Sequence, residues 1–160
     1  MADVHHYEVH CSWTGSTAVG YENYGRTHDA VAPPSATALR LSADPAFLGD
    51  PANLNPESLV LMAAASCQLL SFLAVAARAR CDVIEYHDTA EAFMPEDDRP
   101  IRITRIVLRP QVTVRAPATA HRVHYLCQVA HRECFVANSL RSVIVVEPQV
   151  TILPGMEDGA

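Results

Sequence analysis

Residues 59–77 read LVLMAAASCQLLSFLAVAA, nineteen positions without a charge. Immediately before them stand Asn55, Pro56, Glu57 and Ser58. Asn55 can cap a helix, Pro56 suits a first helical position where no backbone N–H is needed, and Glu57 favours the positive end of the helix dipole. This pattern predicts a helix from Pro56 to Arg78 or Arg80, whose charges suit its C-terminal end. A helix apolar on every side is either buried inside a domain or spans a membrane. Ser66, Cys67, Gln68 and Ser71 interrupt the apolar run, alanine is only weakly apolar, and strand-like segments flank the helix on both sides. The expectation is a central helix buried in a domain, with no membrane partner.

Upstream, residues 7–13 alternate Tyr7, Val9, Cys11 and Trp13 with Glu8, His10 and Ser12. That is the period of a half-buried strand. Gly15 and Ser16 offer a turn, residues 17–24 read as the return strand of a hairpin, and residues 36–41 read as a third short strand after Pro33-Pro34. A loop rich in Asp, Pro, Gly and Asn fills residues 42–55. Downstream, residues 83–94 and 101–115 are β-branched and alternating around the turn-like segment 95–100, and read as one long hairpin. Pro117 is placed to open a second helix through about Arg132, with Val123, Leu126, Cys127 and Ala130 on its buried face. After Cys134 and a cap at Asn138 or Ser139, strands are expected at 143–146 and 150–153, and residues 154–160 as a frayed tail. The order of strands, helix, strands, helix, strands argues for an α+β domain with antiparallel hairpins rather than a doubly wound parallel sheet. With no internal repeat or linker, residues 1–160 read as a single domain.

Composition removes several chemistries. All twelve basic residues are arginine, so Schiff-base formation, a lysine general base and the Gly-Lys-Ser/Thr phosphate loop are excluded. A net charge of −6 with no basic block argues against nucleic acid as a partner. Neither Gly-x-Gly-x-x-Gly nor Gly-x-Ser-x-Gly occurs. Five cysteines cannot all pair within one chain, and residues 1–10 are polar and histidine-rich, unlike a secretion signal. A reducing, cytoplasmic compartment is expected, where thiols are buried fillers, metal ligands or working groups. No Cys-x-x-Cys pair is present.

Two thiols stand in unusual contexts. Cys67 lies mid-helix with small residues before it and polar Ser66 and Gln68 beside it; Cys134 lies just beyond the second helix, at an element boundary. The plainer reading of either is a small buried hydrophobe. His121, His124, Cys127 and His131 raise a zinc or copper site, since His124, Cys127 and His131 fall within about 60° on a helical wheel, but Cys127 borders the core stripe. His5, His6 and His10 read as surface residues.

Asn55-Pro56-Glu57-Ser58-Leu59, Ala65-Ser66-Cys67 on the same helix, and Cys134-Phe135-Val136-Ala137-Asn138-Ser139 together resemble the OsmC/Ohr family of osmotically inducible and organic-hydroperoxide-resistance proteins. The resemblance runs from the Trp13 strand through Gly25-Arg26-Thr27-His28-Asp29 to the last strand. Phe135 stands where the commoner family form has proline, which leaves the subgroup open. The resemblance implies antiparallel β-sheets wrapped around two central helices in an intertwined homodimer, with active sites at the subunit interface. It further implies a cofactor-free, metal-free thiol peroxidase in which Cys67 is the peroxidatic thiol, Cys134 the resolving thiol, Arg26 the activating guanidinium and Glu57 its carboxylate partner. A thiol with a reference pKa near ~8.5 must be shifted down to become a thiolate nucleophile, which a nearby permanent positive charge does. With lysine absent, that fixed charge is expected to be a guanidinium. Sulfenic acid on Cys67 would condense with Cys134 to a disulfide, which an external dithiol of lipoyl or other type would reduce. Leu69, Leu70, Phe72 and Leu73 would favour organic hydroperoxides over hydrogen peroxide. Glu57 and Cys67 are ten residues apart, ~15 Å of rise on a straight helix, so the helix must break between them or Glu57 must reach the Cys67 of a second subunit. The competing readings are a non-catalytic dimeric binding or scaffold protein of the same fold, and a thiol/histidine metal-binding protein.

Overall fold

The computed structural model describes residues 3–155. The chain divides into two compact units, Met1–Val60 and Leu61–Ala160. Of the tail expected to fray, residues 156–160 lie outside the described residues.

In the first unit, β1 (His10–Ser12), β2 (His28–Val31) and β3 (Ala38–Leu41) form an antiparallel sheet in that order. His10 lies opposite Val31, and His28 opposite Leu41. The return strand expected over 17–24 does not form. Ser16 accepts a hydrogen bond from the Ala18 N–H and caps a single 3-10 turn, Thr17–Val19. Gly20 ends that turn at φ 89, and the Asn23 side chain donates to the Val19 carbonyl. These local polar bonds outcompete the ladder, so β2 becomes the partner of β1. β1 is also shorter than expected and exposed throughout, with Tyr7 86% and Val9 61% exposed. After β3, the Ser42 N–H donates to the Leu54 carbonyl at 2.9 Å, and the buried Ser42 hydroxyl accepts from the Asp50 N–H at 3.0 Å. Gly49 packs so closely on this loop that a Cβ there would lie 1.6 Å from the Ala43 carbonyl oxygen, which only glycine avoids.

Helix α1, Pro56–Arg78, begins as its sequence signals require: Asn55 Oδ1 accepts from the Ser58 N–H at 2.8 Å, and Pro56 is the first helical residue. It ends where Arg80 takes φ 52 and the Cys81 N–H reaches back to the Ala76 carbonyl. The expectation of a helix buried on all sides is met on one face only. Ala64, Gln68, Phe72, Val75 and Ala76 are buried, whereas Met62, Leu70 and Leu73 are 51%, 63% and 40% exposed. By length and composition α1 is apolar enough to cross a membrane, with mean hydropathy 2.1 over its most apolar window.

The long hairpin of the second unit forms but is kinked into two sheets. β4 (Val83–Asp88) pairs antiparallel with β7 (Pro110–Arg115), and β5 (Glu91–Phe93) pairs antiparallel with β6 (Arg105–Leu108). Pro110 lacks the N–H that would continue one ladder through the kink. Arg109 sits at the break: its N–H donates to Asp88 Oδ1 at 2.7 Å, and its guanidinium joins Glu91 and Glu147. Helix α2, Ala120–Glu133, is capped by Thr119, so Pro117 lies in the preceding turn rather than opening the helix. Its buried face is Val123, Leu126, Cys127 and Ala130, as expected. A short helix α3, Phe135–Ser139, follows Cys134 directly, so Asn138 and Ser139 lie inside an element rather than at the cap before the strands. β8 (Val143–Val146) then joins β6, and β9 (Gln149–Leu153) joins β7, both in parallel. These partners are parallel because α2 carries the chain back to the end where β6 began. The result is α+β with antiparallel hairpins, each extended by one parallel strand. Phe72, Val75 and Ala76 of α1 pack with Val112, Val123 and Leu126 in one core; Ala64, Ile106 and Leu108 centre a second.

Candidate active site

Cys67 lies in the middle of α1, and Cys134 is at once the last cap of α2 and the first cap of α3. The two thiols are neighbours, close enough that each shifts the acidity of the other. Cys134 is 1% exposed, while Cys67 is open to a cleft of about 600 Å³. Leu70, Ser71, Ala74, Arg78 and Phe135 contribute to its walls, and Arg78 and Glu133 form an ion pair of 2.6 Å at the same cleft.

The environment treats the two sulfurs oppositely. Burial pushes the Cys67 thiol up, but the Val136 N–H, the Cys134 thiol, the Phe135 N–H and the Ser71 hydroxyl together hold it below its ordinary value of 9.0. Burial also pushes Cys134 up; the Ala137 N–H pulls it back, and the Cys67 sulfur, as acceptor and as charge, raises it further. Cys67 is therefore the more acidic of the two thiols, and Cys134 the one that keeps its proton more readily. The amides that favour the Cys67 thiolate come from the start of α3, and that junction is pinned by Asn138, whose side chain donates to the Arg132 and Cys134 carbonyls at 2.9 and 3.0 Å.

Arg26 and Glu57 belong to the first unit. The Arg26 guanidinium donates to the Tyr24 and Tyr21 carbonyls at 2.9 and 2.8 Å and lies 4.1 and 4.7 Å from their ring centroids. The Trp13 indole N–H, donating to the Gly25 carbonyl at 2.7 Å, holds the same loop. Glu57 stands in the first turn of α1, and among the described residues it forms no ion pair with Arg26. Since α1 is continuous from Pro56 to Arg78, no break brings Glu57 toward Cys67 within one chain. Of the four expected residues, the structure brings Cys67 and Cys134 together. The groups acting on the Cys67 thiol within its own unit are backbone and side-chain donors. Among the described residues, no group of three or more His, Cys, Asp or Glu is placed to hold a metal ion.

Sequence reasoning overlooked Ser71, although its spacing of four from Cys67 on a helix signals a shared face. The amides of Phe135 and Val136 left no signal, because every residue except proline carries one.

The profile described as OsmC-like protein matches residues 49–149. An OsmC-like protein of unknown function from Vibrio cholerae is 27% identical, with TM-score 0.82 over 91% of this chain and 100% of its own. A Legionella pneumophila structure described as an organic hydroperoxide resistance protein OsmC is 16% identical, with TM-score 0.71 over 94% of this chain and 99% of its own. The uncharacterized Bacillus subtilis protein YmaD is 22% identical over 98% of this chain and 100% of its own length.

Proposed function

Since this chain belongs to the OsmC-like protein family, we propose that it is a cytoplasmic thiol peroxidase that reduces organic hydroperoxides to alcohols. The observation that carries this reading is the pair of neighbouring thiols shifted in opposite directions, with the more acidic one open to a cleft whose walls include Leu70, Ala74 and Phe135. The Cys67 thiolate attacks the distal peroxide oxygen; the S–O bond forms, the O–O bond breaks, and the alkoxide leaves with the proton that Cys134 holds. Cys134, now a thiolate, attacks the sulfenic sulfur and expels hydroxide, giving a disulfide. An external dithiol returns both sulfurs to thiols and is itself oxidised to a disulfide. Leu70, Ala74 and Phe135 favour a substrate with an organic tail. Arg26, with Glu57 as its carboxylate partner, enters this reading through family resemblance, as the guanidinium that orients the peroxide in a site completed by a second subunit.

The test is to mix reduced protein with cumene hydroperoxide and count free thiols. Loss of two thiols per chain supports the peroxidase; no loss at micromolar peroxide leaves the non-catalytic scaffold. The pH profile carries a further expectation. Because the Cys67 thiol is held below its ordinary value of 9.0, the attack rate should rise with pH to a plateau whose midpoint lies below 9.0. A midpoint at or above 9.0 would contradict it.

We also propose a homodimer in which the open face of α1 is covered by a second copy. Met62, Leu70 and Leu73 leave one face of α1 apolar and exposed, the kind of surface that marks an interaction site. Leu70→Glu should convert dimer to monomer in size-exclusion chromatography with light scattering; a parent chain already monomeric at assay concentration would exclude this arrangement.

A further inference from the structure

Gln68 is the only buried polar side chain found in the second unit among the described residues, at 1% exposure, and it immediately follows Cys67. Its Nε2 donates to the Cys127 carbonyl of α2 at 3.2 Å, while its Oε1 is buried without a protein partner. Leaving a buried acceptor unpaired costs about 1–3 kcal/mol, whereas one amide hydrogen bond contributes only about 1 kcal/mol. Leucine or methionine would fill the same space without that cost. The amide is therefore poorly explained by stability.

Its placement offers another explanation. Apart from this bond, α1 and α2 are tied by the exposed Arg78–Glu133 ion pair and by the Arg122 guanidinium, which donates to the Ala79 carbonyl just past α1, and they meet through Phe72, Val75 and Ala76 against Val123, Leu126 and Ala130; solvated contacts of long side chains and non-directional apolar contacts do little to fix register. They allow one helix to slide along the other. A slip of one residue is ~1.5 Å along the axis, a large fraction of the distance two neighbouring sulfurs must close to reach the ~2.05 Å of a disulfide. Cys127 lies two turns before Cys134 on the same helix. We propose that Gln68 is a positioning residue for the Cys67/Cys134 couple: its amide locks α1 beside Cys67 to α2 at Cys127, and so fixes the approach of Cys134 for disulfide closure. The proposal rests on the redox reading of that couple, and it assigns Gln68 to the closing step and not to the attack on peroxide.

The experiment compares the parent chain with Gln68→Met and Gln68→Leu. In rapid-quench reactions with hydroperoxide, sulfenic acid is trapped with a cyclic dione and disulfide is counted separately. Attack should stay within about 3-fold of the parent, while closure slows by ~10-fold or more, as displacements near 1 Å do. Melting temperature should hold or rise, because an apolar side chain replaces a half-satisfied amide; loss of closure without loss of stability separates positioning from general loosening. Closure at the parental rate in a folded variant overturns the proposal. If neither variant folds, the side-chain amide protons of Gln68 in the parent decide it: protection from exchange in both dithiol and disulfide forms is expected, and free exchange in either overturns it. A dithiol–disulfide redox buffer measures closure without peroxide. There, a ~10-fold fall in the closure constant in the variants, in a chain that ignores hydroperoxide, would overturn the peroxidase reading alone and leave the positioning role standing.

Discussion

Cys67→Ser should abolish hydroperoxide turnover, with a loss on the order of a thousandfold or more, the scale seen when a nucleophile is removed from a working set. The hydroxyl is close in size to the thiol, so folding and dimer formation should be unaffected. What changes is ionisation. The Phe135 and Val136 amides and the Ser71 hydroxyl bring a thiol below 9.0, but the same donors cannot carry an aliphatic hydroxyl into the neutral range. A coupled assay of dithiol consumption with cumene hydroperoxide should fall to the rate without protein. Retention of a tenth of the parental rate would move the chemistry to another residue.

Cys134→Ser should separate the first turnover from the rest. The serine hydroxyl can still donate to the Cys67 sulfur, so one equivalent of peroxide is reduced at close to the parental rate. The sulfenic acid then has no resolving thiol. Steady-state turnover with dithiol should drop by an order of magnitude or more, and excess peroxide should drive Cys67 to sulfinic acid, read by mass spectrometry as two added oxygen atoms. Cys134→Ala removes the donor as well, so the Cys67 pKa should rise and the first turnover should slow in this variant alone. Equal first-turnover rates for the serine and alanine variants would show that the bond between the thiols does not contribute to activation.

The helix that carries Cys67 was legible to the residue at its start, because Asn55, Pro56 and Glu57 act locally and need no tertiary partner. The hairpin over 83–115 was legible from its alternation, but its division into two sheets was not. That division depends on Arg109 meeting Asp88, Glu91 and Glu147, residues far apart in the chain. Residues 17–24 look strand-like by composition, yet the Ser16 cap and the positive φ of Gly20 turn the chain locally first. At the site, the two thiols could be picked from their contexts and from family resemblance. The lowering of the Cys67 thiol could not, since its largest cause is a main-chain donor at the start of α3 that carries no residue signature. Gln68 was legible only as a polar neighbour; its bond to the Cys127 carbonyl spans 59 positions of sequence.

The two parallel edge strands set an order on how this molecule can be made. Among the described residues β8 and β9 come last, and each completes one of the two sheets in the second unit. Their partners β6 and β7 emerge much earlier, with the whole of α2 and α3 synthesised in between. Closing so long a loop is slow compared with forming a hairpin or a helix. During synthesis, α1 and the antiparallel arms can assemble while both sheets still lack a strand. That interval leaves unpaired strand edges and an uncovered apolar helix together on one nascent chain, so the C-terminal strands are where protection from aggregation must end and folding must finish.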